Sequence, residues 1–236
     1  MAITLFLFTP VSIAKPTYLF CHGVGGNGND VQVYVHYDIL PKHSCTFDFN
    51  DFHDGKFDPT KSALGQKDDI DTLFDRFNQL DNSQGVVLFG LSRGAATVIN
   101  FAGKKQPTNV KAIIVESPFA HIDDIISNML SYGLSYVLPT NTIMKAIYPL
   151  YNRNAEQPIN FVTKIDKSIP ILFICSEGDQ LIPYTSTLRL YEALSAQGGR
   201  INVSLLTLQQ GGHANLCDQE KYKQAVHHFL RKNGCL

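Results

Sequence analysis

Apolar runs without a polar interruption recur along this chain, and they restrict its fold more than any other feature. Four are plain: TYLF at Thr17–Phe20, VVLF at Val86–Phe89, AIIV at Ala112–Val115 and ILFIC at Ile171–Cys175. A strand with one face in water alternates apolar and polar residues. A run that is apolar at every position needs cover on both faces, as in a parallel sheet. VSLLTL at Val203–Leu208 is a fifth run, and CTFDF at Cys45–Phe49 a weaker sixth. Helical stretches come between them. In Asp68–Leu80, the residues Ile70, Leu73, Phe74, Phe77 and Leu80 recur at three- and four-residue steps and make one apolar stripe. Arg93–Lys104, Thr185–Ala196 and Glu220–Lys232 carry similar stripes. Strand and helix therefore alternate, which predicts a three-layer α/β sandwich around a mostly parallel sheet. A chain of 236 residues is long enough to build it as one domain over residues 1–236.

Charge argues against one large class of partner. Lys plus Arg total 20 and Asp plus Glu 21, a formal charge of -1, so no basic surface for nucleic acid is expected. The five cysteines, Cys21, Cys45, Cys175, Cys217 and Cys235, form no Cys-x-x-Cys pair and no metal spacing. Cys21 and Cys175 lie in apolar runs, the setting of a reduced, buried thiol. No metal is expected, and a cytoplasmic location fits this cysteine usage. The N-terminal MAITLFLFTPVSIAKP lacks a basic segment before its short apolar run, so Ile3–Phe8 reads as a strand; a trimmed signal peptide is the competing reading. No apolar run approaches the length of a transmembrane helix.

One interval breaks the alternation. Between Val115 and Ile171 the chain has room for two or three short helices, with Pro139, Pro149 and Pro158 as breakers. This predicts a small helical cap inserted at 119–165. Its Tyr132, Tyr136, Tyr148 and Tyr151 either line an apolar acyl pocket or pack the cap onto the body.

The stretch VVLFGLSRGAA places Ser92 between a strand ending near Phe89 and a helix starting near Arg93. Gly90-x-Ser92-x-Gly94 in that context reads as a nucleophile elbow, a tight turn that lifts the hydroxyl above the sheet edge. A serine needs a base, and the base needs a carboxylate to orient it. Among eight histidines, His213 in LQQGGHANL is the one at a late strand end. The loop SEGDQLIP offers Asp179, with Glu177 as its local competitor. Catalytic candidates are thus Ser92, Asp179 and His213, in the order expected on an α/β sheet.

Acyl transfer also needs donors for an oxyanion. CHGVGGNGND follows the first clear strand, and its glycines let backbone N–H groups converge. The two donors expected are the N–H groups of Val24 and Arg93. Gly23-x-Gly25-x-x-Gly28 also satisfies a bare nucleotide-binding pattern, which is set aside because the residues after it read as a polar, histidine-rich loop rather than a βαβ unit. His22 is read as a brace for the loop. The Arg93 side chain meets either an anionic substrate or a neighbouring carboxylate.

Together these segments resemble the α/β-hydrolase superfamily. CHGVGG at Cys21–Gly26 resembles its oxyanion loop, GLSRG at Gly90–Gly94 its elbow, SEGDQLIP at Ser176–Pro183 its acid loop and GGHANL at Gly211–Leu216 its histidine loop. ESPFAHI at Glu116–Ile122 resembles the serine aminopeptidase or BEM46-like branch. The resemblance implies an acyl-enzyme mechanism without metal or organic cofactor, acting on an ester, thioester or peptide. It points to a small carboxylesterase or lipase-like enzyme; a serine peptidase or acyl-protein thioesterase is the alternative, and an inactive interaction domain of the same shape is a third reading. The chain departs from the family in having only Ile3–Phe8 available as a strand before the oxyanion loop. The sequence carries no signal for oligomeric state.

Overall fold

The computed structural model describes residues 15–53, 56–58, 67–129, 156–199 and 202–236. Its centre is a six-stranded sheet. The strands are β1 (Thr17–Cys21), β2 (Cys45–Thr46), β5 (Val86–Leu91), β6 (Val110–Glu116), β7 (Ile171–Ser176) and β8 (Val203–Leu208). They lie in the order β2-β1-β5-β6-β7-β8, and every neighbouring pair is parallel. Two short strands, β3 (Phe52–His53) and β4 (Lys56–Phe57), form a separate antiparallel pair.

Side chains along each strand alternate between two cores. Leu19, Cys21, Val86, Leu88, Ile113, Val115, Ile171 and Phe173 pack on one face. There they meet α2 (Lys67–Asn78) through Ile70, Leu73 and Phe77, α3 (Arg93–Lys105) through Val98, Ile99 and Phe101, and α5 (Tyr184–Ser195) through Leu190 and Leu194. Tyr18, Phe20, Val87, Phe89, Ile114, Leu172 and Ile174 point the other way. They meet α1 (Val31–His36) through Val31 and Tyr34, and α6 (Glu220–Lys232) through Tyr222, Val226, Phe229 and Leu230. This is the three-layer α/β sandwich, and it explains the unbroken apolar runs. The four central strands, β1, β5, β6 and β7, are buried on both faces, at about 1.5–3 kcal/mol for every large side chain removed from water, while the edge strands β2 and β8 are only partly buried.

Several boundaries differ from the sequence reading. β5 continues past Phe89 through Gly90 to Leu91, because Gly90 and Leu91 pair with Val115 and Glu116 of β6. The weak run Cys45–Phe49 contributes two strand residues, yet these pair in parallel with Leu19 and Phe20. β1, α1 and β2 therefore form a short βαβ unit, contrary to the expectation of a plain polar loop. Ile3–Phe8 lies outside the described residues. So does 130–155, the larger part of the expected cap; its described flanks are α4 (Ile122–Met129) and two tight turns at Pro158–Asn160 and Val162–Lys164. Gln157 ties the two flanks together, its side-chain oxygen accepting the Ile122 N–H at 2.9 Å.

Candidate active site

In a parallel sheet all strand ends of one kind share one edge, and ligands bind outside the carboxyl edge. Among the loops that leave that edge, five carry His22–Val24 after β1, Ser92 after β5, Ser117 after β6, Asp179 after β7 and His213 after β8. Three of the six described non-glycine residues with positive φ sit in these loops. Ser92 has φ 55°, Ser117 φ 48° and Ala214 φ 61°, all in the left-handed region that costs a non-glycine residue roughly 1–3 kcal/mol.

Ser92 turns between β5 and α3. Its N–H donates to the Glu116 carbonyl at 2.8 Å, and its own carbonyl accepts the Ala96 N–H at 3.0 Å. The framing glycines have a steric cause. A Cβ on Gly90 would lie 2.6 Å from Ala95 Cα, and one on Gly94 would collide with the Cys21 carbonyl. The helix can therefore start immediately after Ser92, with its N-terminal positive potential directed at the edge. The same packing brings the β1 loop to the serine: a Cβ on Gly23 would lie 3.5 Å from Ser92 Cβ. Val24, the next residue, is 38% exposed, and its N–H and that of Arg93 are the two backbone donors proposed from sequence.

Asp179 and His213 are brought together. The ring nitrogen Nδ1 of His213 lies 2.9 Å from Asp179 Oδ2. Asp179 is buried, and its other oxygen, Oδ1, accepts the N–H groups of Leu181 and Ile182, each at 2.9 Å. Burial works against its charge, but the His213 contact and those two N–H groups more than offset this and hold it below the usual carboxylate range. Glu177 is exposed, with its N–H bonded to the Leu208 carbonyl. Gly178, Gln180, Leu181, Gly211, Gly212 and His213 wall a cleft of about 590 Å³.

His22 is buried in the β1 loop. The Phe49 N–H donates to its Nε2 at 3.2 Å, so Nδ1 carries the proton and donates to the Gly23 carbonyl at 2.8 Å. Burial lowers its pKa, which keeps the ring neutral and suits it to bracing the loop. The bonding of this loop also answers the nucleotide reading. Gly28 N–H donates to Asp48 Oδ1 at 2.6 Å, and Asn27 N–H to Asp30 Oδ2 at 3.3 Å. Carboxylates already hold those donors and would repel a phosphate.

The Arg93 side chain is turned into the body of the protein. It is 2% exposed, bonds Asp69 through Nε at 2.8 Å and Nη2 at 2.5 Å, pairs with Asp51 through Nη1, and stacks 4.5 Å from the centre of the Phe49 ring. Of the two roles open to this side chain, the structure gives it the carboxylate. Its partners come from separate segments, and nothing in the sequence near Asp51 or Asp69 marked them. Glu116, the first residue of the ESPFAHI segment, is wholly buried beside the site, and no local pattern marked it either.

All five cysteines are free. Among the described residues no group of His, Cys, Asp or Glu is disposed to hold a metal ion, and no helix is long and apolar enough to cross a membrane.

Comparison with known proteins gives the family. The pattern of the prolyl oligopeptidase family matches residues 68–233. YqkD of Bacillus subtilis (strain 168) is 28% identical over 222 residues, spanning 91% of this chain and 70% of its own. Protein bem46 of Schizosaccharomyces pombe is 24% identical over 224 residues, spanning 93% of this chain and 69% of its own. Among solved structures, the Pyrococcus furiosus esterase Pf2001 superposes with a TM-score of 0.68 at 18% identity, over 93% of this chain and 82% of that one. The chain has the α/β-hydrolase fold, its similarity to protein bem46 agrees with the BEM46-like resemblance of its sequence, and, with more than half of it inside the family pattern, it belongs to the prolyl oligopeptidase family.

Proposed function

We propose that this protein is a serine hydrolase that cleaves an ester, thioester or amide through an acyl-enzyme. The observation that carries this reading is the 2.9 Å contact of His213 with Asp179 on the strand edge that also presents Ser92 in a strained elbow. His213 Nε2 takes the hydroxyl proton as Ser92 Oγ bonds to the substrate carbonyl carbon. Asp179 stays ionised, holds Nδ1–H and stabilises the imidazolium. The N–H groups of Val24 and Arg93 bind the negative oxygen of the tetrahedral intermediate. The leaving group departs with the proton from His213. Water then repeats the steps, breaks the acyl bond to Ser92 and releases an acid.

A small ester or lipid-like ester is the substrate class we favour, under a helical cap built from 119–165. Glycine walls beside His213 leave room for a leaving group, and the tyrosine-rich segment motivates an apolar acyl pocket. The family match supports a second reading, a peptidase cleaving an amide.

A panel of acetyl to octanoyl esters, thioesters and aminoacyl amides distinguishes these. Esters should be turned over fastest, with gains of up to about 0.8 kcal/mol in transition-state binding per added methylene until the pocket fills. Asp179→Asn should lower turnover by about 10³- to 10⁴-fold, while Glu177→Gln should leave it nearly unchanged. The reverse ranking would overturn the acid assignment. Amides turned over faster than esters would favour the peptidase reading, and no turnover of any class would favour an interaction domain.

A further inference from the structure

Three glycines, Gly178, Gly211 and Gly212, wall the cleft beside His213, and two of them have a packing cause. A Cβ on Gly178 would lie 2.8 Å from the Gly211 carbonyl oxygen. This glycine lets the loop carrying Asp179 lie against the loop carrying His213. There Ser176 Oγ donates to the Gly211 carbonyl at 2.6 Å and accepts the Gly178 N–H at 3.1 Å. Gly211 has φ 106°, in the left-handed region, and a Cβ on it would lie 2.5 Å from Leu216 Cδ2 and 2.7 Å from Gln219 Nε2. Gly212 has neither cause. Its φ lies outside the left-handed region, and a Cβ on it would meet only the Asn215 side chain, at an ordinary 3.7 Å. Asn215 is exposed and can move aside. The fold would accept a side chain here, yet the chain keeps the residue that loses most backbone freedom on folding.

What a side chain on Gly212 would take away is room. Gly212 directly precedes His213, and the cleft it walls, about 590 Å³, reaches the His213 ring, whose side chain is 20% exposed. Asp179 holds Nδ1 of that ring, so Nε2 is the nitrogen that hands a proton to the leaving group. The leaving oxygen must therefore sit beside this ring as its bond to the acyl carbon breaks and it takes the proton. Gln180 and Leu181 complete the wall, and no Lys, Arg, Asp or Glu among the described residues lines it. We infer that this cleft receives the leaving group, that Gly212 sets the bulk it admits, and that the group is a bulky, uncharged alcohol. The inference rests on the serine-hydrolase reading.

The test holds the acyl group fixed and varies the alcohol. Butyrate esters of methanol, choline and neohexanol, the carbon analogue of choline, are compared in the protein, Gly212→Ala and Gly212→Val. Choline and neohexanol share one shape, and only choline is charged. In the parent protein kcat/KM should be highest for the neohexyl ester. Gly212→Val should lower the ratio of neohexyl to methyl kcat/KM by about tenfold, and Gly212→Ala by less. All three esters form the same butyryl-enzyme, and its hydrolysis begins once the alcohol has left. Followed by rapid mixing, that hydrolysis should slow less in Gly212→Val than attack on the neohexyl ester does. An unchanged ratio in Gly212→Val, or equal slowing of both steps, would overturn the role given to Gly212. A choline ester turned over faster than the neohexyl ester would overturn the uncharged alcohol. Should Gly212→Val not fold by circular dichroism, an unchanged ratio in Gly212→Ala would overturn the inference. No turnover of any of the three by the folded parent would fault the hydrolase reading and this inference with it; turnover with an unmoved ratio would fault this inference alone.

Discussion

Two buried acidic clusters flank Ser92, and they are built differently. On the α2 and α3 side, Asp51 and Asp69 surround the Arg93 guanidinium, so each carboxylate has a cation. On the α1 and α6 side, Glu116 has two tyrosine hydroxyls and no cation among the described residues; each cluster holds one oxygen without a hydrogen-bond partner, Asp51 Oδ1 and Glu116 Oε1. The first arrangement fixes charge. Burial works against the Arg93 charge, but Asp69 and then Asp51 more than offset it and hold its proton more firmly than usual. The second leaves charge open to titration, since burial raises the Glu116 pKa and hydroxyls only partly compensate. Paired burial makes a strut for the start of α3, whereas unpaired burial makes a group that answers to its neighbours.

The largest expected effect comes from breaking the strut. Arg93→Met would leave two carboxylates buried together without a cation and should cost about 3–5 kcal/mol, read from the urea unfolding midpoint. A loss below about 1 kcal/mol would remove the distinction between the two clusters. A smaller effect sharpens it from the other side. The unfolded value for a glutamate is about 4.3. With a raised folded pKa, the Glu116 contribution to stability is fully present below that pH and is lost as pH rises through the folded value. Glu116→Gln should therefore gain stability relative to the parent between pH 4 and pH 8, measured by denaturation at each pH. A difference that stays flat across that range would show the carboxyl to be as fixed as the Arg93 partners.

How far the sequence reached follows the same physics. The runs at Thr17–Phe20, Val86–Phe89, Ala112–Val115 and Ile171–Cys175 became strands because two-sided burial leaves a continuous apolar signature, and Val203–Leu208 became the partly buried edge strand β8. The Ile70, Leu73 and Phe77 stripe became the buried face of α2 for the matching reason. The order of Ser92, Asp179 and His213 was legible because each follows a recognisable strand. Pairing partners were not. Strand β2 is only two residues long and is defined by its hydrogen bonds to β1. Helix α1 hides in a stretch with one short turn and two buried side chains, Val31 and Tyr34. Arg93, Asp51, Asp69 and Glu116 are charged residues, whose default place is solvent. Their burial depends on partners 24 to 106 positions away, which no local pattern records.

The central claim is a covalent intermediate on Ser92, and mass spectrometry after fluorophosphonate labelling tests it most directly. The protein should gain one label, the label should map to the peptide carrying Gly90–Gly94, and Ser92→Ala should abolish both label and turnover. An active enzyme whose Ser92 peptide stays unmodified, with the added mass on another residue such as Cys21 or Cys175, would contradict the account.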